Sequence, residues 1–142
     1  MKYLATLAVI FSAGIGSCGC SGQPQPPSLR KTVGSALVAL DCPRGSRIDF
    51  MQDELAPGST VTPLGDCPGE AAGLPAFVVP EPGHLIFIDE QPGYDWVHRA
   101  KLVFFPRQSP GEAKVIFRDT PKSCFHIKSP DGQEVKATWV KR

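Results

Sequence analysis

The chain has 142 residues, of which 42% are hydrophobic and 20% are charged, and its formal net charge at neutral pH is +1. This composition excludes a disordered chain, and the length leaves room for one domain with a modest core but not for two. The 15 prolines and 14 glycines are spread along the chain, which indicates many short elements joined by turns.

Residues 1–17 form the first predicted element, a secretory signal peptide. Lys2 supplies one positive charge, and residues 4–15 contain no charged residue. Such a stretch fits the apolar core of a signal peptide and is shorter than the roughly 20 apolar residues that span a bilayer. The run Ile15-Gly16-Ser17-Cys18 closes it and resembles the lipobox of bacterial lipoprotein precursors. The resemblance implies that Cys18 receives a diacylglyceryl thioether and becomes the acylated N-terminus after cleavage.

The segment after the signal peptide favours an anchored protein over two alternatives. Residues 18–32 are rich in Gln and Pro and are predicted to form a flexible tether between the lipid and the domain. The protein would then lie in the cell envelope, held to a membrane by its lipid on the extracytoplasmic side. One alternative is a soluble secreted protein cleaved between Ala13 and Ser17. The other is a metal clip formed by Cys18 and Cys20, which is disfavoured because no second ligand pair has metal-like spacing.

Residues 33–142 are predicted to form a single all-β domain, a small and mainly antiparallel β-sandwich or barrel with short turns. Turn signals such as Pro-Gly separate nearly all of the apolar runs, at the spacing typical of such folds. Within residues 47–51, alternation predicts that Ile48 and Phe50 face one side and that Arg47 and Asp49 face the other. Strands are predicted at residues 33–41, 47–51, 59–64, 76–79, 84–88, 94–105, 113–118, 124–128 and 134–140.

Charge is distributed unevenly between the two halves of this domain. Residues 30–96 contain four basic and ten acidic residues, whereas residues 97–142 contain ten basic and four acidic residues. We interpret this asymmetry as charges that pair across neighbouring strands, in preference to a basic binding face. A nucleic-acid partner is not expected, because the predicted location is outside the cytoplasm and the basic half has no recognisable stacking platform.

The cysteine count is consistent with an oxidising compartment. If Cys18 carries lipid, four cysteines remain, and an even number fits a disulfide framework. Four cysteines allow three connectivities, and the role of Cys20 stays open. Cys42 and Cys67 both follow predicted strands, so Cys42–Cys67 is the favoured pair and Cys67–Cys124 is its competitor.

One pair of residues could support catalysis. Cys124 and His126 are two residues apart on a predicted strand, so a thiol and an imidazole could lie close together as nucleophile and base. A structural role is favoured for both, because free thiols are uncommon outside the cytoplasm. The sequence contains no P-loop, dinucleotide fingerprint or metal-binding motif, so neither a cofactor nor a metal is expected.

A second set of residues suggests binding. Tyr94, Trp96 and His98 alternate along the predicted strand 94–105, which would place all three on one face. Aromatic side chains with polar tips are common at recognition surfaces, so this face is a candidate site for a protein or an envelope polymer. The favoured alternative is that Trp96 anchors the core and Tyr94 caps its edge. The sequence therefore predicts a non-enzymatic binding or structural module anchored to a membrane. The alternative is a small extracytoplasmic enzyme that uses Cys124 and His126.

Overall fold

The computed structural model describes Gly34, Leu37 and residues 40–94 and 97–141. These residues form an all-β, sandwich-like fold of two antiparallel sheets, neither of which closes into a barrel, and the predicted fold class is confirmed. Two short 3-10 helices, Pro110–Glu112 and Lys122–Cys124, interrupt the strands. The strands are β1 (Arg47–Met51), β2 (Thr60–Pro63), β3 (Phe77–Val78), β4 (Gly83–Asp89), β5 (Ala100–Pro106), β6 (Lys114–Arg118), β7 (Phe125–Lys128) and β8 (Trp139–Lys141).

The large sheet has five strands in the order β6-β5-β4-β1-β8, and the small sheet has three in the order β3-β2-β7. β4 lies at the centre of the large sheet and pairs antiparallel with β1 on one side and β5 on the other. In the small sheet, Val61 of β2 is paired with Phe77 of β3 and with Ile127 of β7. These three side chains face the large sheet and join the core between the two sheets.

Both faces of the large sheet are covered, which explains why its central strands are almost continuously apolar. Leu85 and Phe87 of β4 belong to the core between the sheets, whereas Ile86 and Ile88 belong to a second apolar cluster on the outer face. Three residues from the segment before β1, Leu37, Leu40 and Cys42, pack against this second cluster.

A β-bulge distorts the pairing of β6 with β5. The pairing shifts between Leu102 and Val103, so that Leu102 is opposite Phe117 while Val103 is opposite Val115. Ile116 is the extra residue, and both Ile116 and Phe117 contact the core between the sheets. A bulge bends a strand and changes the direction of a side chain, and here it turns two consecutive apolar residues inward.

Three predicted strands differ from the structure. At Gly34 and Leu37, within the predicted strand 33–41, the chain is helical, and the amide of Leu40 donates to the carbonyl of Leu37 at 3.3 Å. The predicted strand 94–105 begins only at Ala100, and the last strand covers only Trp139–Lys141. The predicted signal peptide and tether lie outside the described residues. In the part of the chain that is described, no helix has the length and apolar character needed to cross a membrane.

Candidate binding site

The disulfide joins Cys67 to Cys124, and the favoured pairing of Cys67 with Cys42 is wrong. The register of the small sheet explains the choice. Pro63 at the end of β2 is opposite Phe125 at the start of β7, and the amide of Leu64 donates to the carbonyl of Cys124 at 2.9 Å. The turn after β2 therefore lies against the 3-10 helix before β7, whereas Cys42 remains a free thiol on the other side of the large sheet.

The proposed dyad of Cys124 and His126 is contradicted by the same disulfide. A disulfide sulfur has no thiolate to act as a nucleophile. Cys124 is buried, while the His126 side chain is 46% exposed and its Nδ1 lies 3.9 Å from Oε1 of Glu134. The thiol mechanism that supported the enzyme alternative is therefore removed.

Of the predicted aromatic face of Tyr94, Trp96 and His98, the two described residues do not lie on a strand. Tyr94 and His98 lie in a loop, and Trp96 is outside the described residues. The Tyr94 side chain is half-exposed, whereas the Nε2 atom of His98 lies 2.8 Å from Oδ1 of Asp89. Side chains fold the loop back on itself: Gln91 accepts from the amide of Arg99 at 3.1 Å, and Asp89 accepts from the amide of Gln91 at 3.0 Å.

His98 is one end of a chain of alternating charges that we call the charge network. Arg47 bridges two carboxylates, with Nη2 at 3.3 Å from Oδ2 of Asp89 and Nε at 3.7 Å from Oδ2 of Asp49. Lys122 forms an ion pair with the same oxygen of Asp49. The network therefore runs through five side chains from the loop after β4 to the 3-10 helix before β7: His98, Asp89, Arg47, Asp49 and Lys122.

The burial of Asp49 is the feature of the network that the sequence does not predict. Alternation correctly separates Arg47 and Asp49 from Ile48 and Phe50, but the polar side of β1 faces the small sheet, and Asp49 is 0% exposed. Lys122 lies over two aromatic rings, 5.9 Å from the centroid of Trp139 and 6.0 Å from that of Phe87. The network thus ties the 3-10 helix, which also carries Cys124, to the large sheet.

Other ion pairs also join the acidic half of the domain to its basic half. Lys101 pairs with Glu90 on the outer face of the large sheet, and Arg107 lies 3.3 Å from Oε1 of Glu54. These contacts agree with the interpretation that charges pair across neighbouring strands. Burial raises the pKa of the Cys42 thiol, although the nearby ammonium of Lys101 acts in the opposite direction.

A groove of about 390 Å³ opens between the edge of β6 in the large sheet and the edge of β3 in the small sheet. We call it the edge groove, and its lining is residues 74–77 and 114–117. Ile116, Phe117 and Phe77 also contact the core between the sheets, whereas Leu74 is 48% exposed. Lys114 is the one charged residue of the lining, and its Nζ lies 5.0 Å from the centroid of the Phe77 ring.

Sequence reasoning missed the edge groove. Residues 76–79 and 113–118 are recognisable as strands, but their spacing does not show that each lies at the edge of its sheet or that the two edges are neighbours. The bulge at Ile116 also breaks the period of two on which face assignments depend.

Within residues 40–94 and 97–141, no group of three or more His, Cys, Asp or Glu side chains could hold a metal ion. In comparisons with protein-family models, curated proteins and solved structures, nothing matches this chain.

Proposed function

We propose that the protein is an exported, lipid-anchored domain of the cell envelope that acts by binding another molecule and not by catalysis. The edge groove is the observation that carries the binding part of this proposal. Ligand sites are typically concave and mostly apolar with a few polar groups, and this groove has an apolar lining with one lysine at its rim.

The charge network is a weaker candidate for a binding site. Asp49 and Asp89 are buried, and each already contacts at least one cationic or imidazole side chain within the domain. A ligand would have to displace those partners from carboxylates that would then be buried without a counter-charge, which is costly. The edge groove requires no such exchange, since its apolar lining already meets solvent.

The export and anchor part rests on the sequence Ile15–Cys18 and is supported by the disulfide. Disulfides persist in secreted and periplasmic proteins and are uncommon in the reducing cytoplasm. Cys67–Cys124 therefore fits a protein that folds after export. The position of Cys18 before a Gln- and Pro-rich segment fits a lipid anchor that holds the domain away from the membrane surface.

Intact-mass analysis of the mature protein from a bacterial host tests the anchor. We expect a chain that begins at Cys18 and carries the added mass of a diacylglyceryl group. Cys18→Ser should abolish the added mass and the partition into detergent, because the thioether requires the sulfur. Cys20→Ser is the matched control and should leave both unchanged. A Cys18→Ser protein that still carries diacyl mass would disprove the anchor.

Photo-crosslinking in intact cells tests the binding part. Leu74, an exposed residue of the groove lining, is replaced by the photoreactive benzoylphenylalanine, and Val140 on β8 is replaced in a control variant. We expect discrete crosslinked species from position 74 that are absent from position 140. Equal crosslinking from both positions, or none from position 74, would contradict the groove as the binding site.

A further inference from the structure

We propose that the edge groove binds an extended, acidic segment of a partner protein, which adds to the free edge of β6 as a further strand of the large sheet. This inference rests on the proposed binding function and names the chemistry of the ligand. Its three supports are the edge of β6, which no described residue pairs with, the apolar side chains turned toward the groove, and two cations on the edge strand.

The backbone of β6 is available for pairing. Among the described residues, β6 pairs with β5 along one side only, and β3 pairs with β2 only. An edge strand presents a row of amide and carbonyl groups that another extended chain can pair with. Peptides that bind in this way take their affinity from main-chain hydrogen bonds and their specificity from pockets for alternate side chains.

The edge groove supplies such a pocket beside the edge. The bulge at Ile116 turns both Ile116 and Phe117 toward the core side of β6, and Phe77 of β3 lies across the groove from them. An added strand would direct every second side chain onto this apolar floor and the others toward the outer face. The ligand is therefore a segment in which apolar residues alternate with polar ones.

Two cations on β6 indicate that the ligand is acidic. Lys114 is opposite Phe104 and so lies on the groove side of β6, whereas Arg118 is opposite Lys101 on the outer side. Both are exposed, and neither forms an ion pair with any described residue. The neighbouring carboxylate of Asp119 is occupied, since its Oδ1 accepts from the amide of Ala100 at 3.0 Å. Carboxylates on the outer side of the incoming strand would pair with Arg118, and Lys114 adds a positive charge at the rim of the groove.

The same two cations argue against a second copy of this chain as the occupant. Antiparallel pairing of two β6 strands would bring Lys114 and Arg118 of one copy alongside the same two cations of the other. Like charges gathered along a strand pair destabilise the pairing, and lysine on an edge strand is a common protection against self-association. The edge therefore repels its own copy and attracts an acidic strand.

Binding of two designed peptides to the purified mature protein tests the inference. The probes are blocked peptides of about ten residues in which Val alternates with Glu, or Val alternates with Lys. The protein is held in nanodiscs of zwitterionic lipid, or is free in buffer if it carries no lipid. We expect the Val-Glu peptide to bind about tenfold or more tightly than the Val-Lys peptide, and to slow amide exchange in residues 114–118.

Charge reversal separates a specific edge site from general attraction. Lys114→Glu with Arg118→Glu should weaken Val-Glu binding about tenfold and improve Val-Lys binding. Lys128→Glu with Lys136→Glu changes the net charge equally, at exposed residues outside the groove lining, and should leave binding within about twofold. All four side chains are exposed, so both variants should fold.

Several results would overturn the inference. Equal weakening in both double variants would show general electrostatic attraction, and an absence of Val-Glu binding or of protection in β6 would exclude strand addition. A concentration-dependent dimer that protects β6 would assign the edge to a second copy. If position 74 crosslinks in cells while the Val-Glu peptide does not bind, the proposed binding function stands and the acidic strand is wrong.

Discussion

The charge network and the edge groove both include strands of the large sheet, but they differ in whether their chemical groups have partners within the domain. In the network, buried Asp49 and Asp89 are matched by Arg47, Lys122 and His98 within the domain. In the groove, apolar side chains meet solvent and a strand edge is unpaired among the described residues. The difference supports a structural role for the network and agrees with the proposed binding role of the groove.

Stability and binding should therefore respond to different substitutions. Removing one partner of a buried ion pair leaves an uncompensated charge, so changes in the network should lower the free energy of unfolding. Changes on the exposed edge of β6 should alter binding with little effect on stability, because exposed ion pairs and exposed charges contribute little. A variant that affects both properties strongly would break the distinction.

The largest effect on stability should come from the disulfide beside the network. Cys67 and Cys124 are 57 residues apart in sequence, and closing a loop of this size lowers the entropy of the unfolded chain by an amount equivalent to about 4 kcal/mol. Cys67→Ser with Cys124→Ser should therefore lower the free energy of unfolding, measured in urea, by about 4 kcal/mol. Peptide binding by the folded fraction should persist.

Cys42→Ser is the control for this variant, because Cys42 is free in the structure. The substitution removes a sulfur from the outer apolar cluster, but Cys42 forms no disulfide, so no covalent loop is opened. Cys42→Ser should therefore lower the free energy of unfolding by less than the double substitution does. If the two variants lose equal stability, the loop-closure argument is wrong.

A somewhat smaller loss is expected from the network itself. Asp49→Ala leaves Lys122 without its carboxylate and leaves Arg47 with Asp89 alone, so the free energy of unfolding should fall by about 3 kcal/mol. Asp53→Ala, at an exposed position four residues along the chain, should change it by less than about 0.5 kcal/mol. Urea unfolding gives both values, and Val-Glu peptide affinity should be the same in both variants. A change in affinity on Asp49→Ala would link the network to the groove.

Local sequence pattern predicts the strands well where pattern and pairing agree. β1 falls at its predicted bounds, and the strand predicted at residues 84–88 is the centre of β4, because a continuous apolar run suits a strand covered on both faces. The predicted strand 33–41 is wrong at all four of its described positions, which are helical at Gly34 and Leu37 and form a turn at Leu40 and Asp41. Leu37 and Leu40 are three residues apart, a spacing that also suits one face of a helix, and tertiary packing on the outer cluster decides between the two.

The site could be predicted far less well, because it depends on contacts between distant segments. The partner of Cys67 is decided by the pairing of β2 with β7, which no local pattern reveals. Alternation separates the two sides of β1 but does not show which side is buried. Lys122, 73 residues from Asp49, supplies the charge that lets the polar side face the core. The loop after β4 resembles a strand by alternation, yet the side chains of Asp89 and Gln91 hold it as a loop.

The smallest expected effect concerns Cys42 on the outer face of the large sheet, where burial and a nearby charge shift the pKa of the thiol in opposite directions. The thiol is half-buried, and desolvation raises its pKa above the ordinary value of 9.0, while the ammonium of Lys101 opposes this. The thiolate is the reactive form, so a raised pKa leaves less of it at a given pH. Iodoacetamide should therefore alkylate Cys42 more slowly in the folded protein than in urea. The alkylation rate of the folded protein should also continue to increase to a higher pH than the rate in urea.

The same shift has a small consequence for stability. Well below pH 9 the thiol is protonated in both states, and its contribution to stability is fully present. As the pH rises further, the thiol of the unfolded chain loses its proton first. This ionisation stabilises the unfolded state, so the free energy of unfolding falls. Cys42→Ser should remove this part of the alkaline slope.

Peptide mapping after alkylation without reductant should find label at Cys42 and none at Cys67 or Cys124. Faster alkylation of Cys42 in the folded protein than in urea would show that Lys101 outweighs burial.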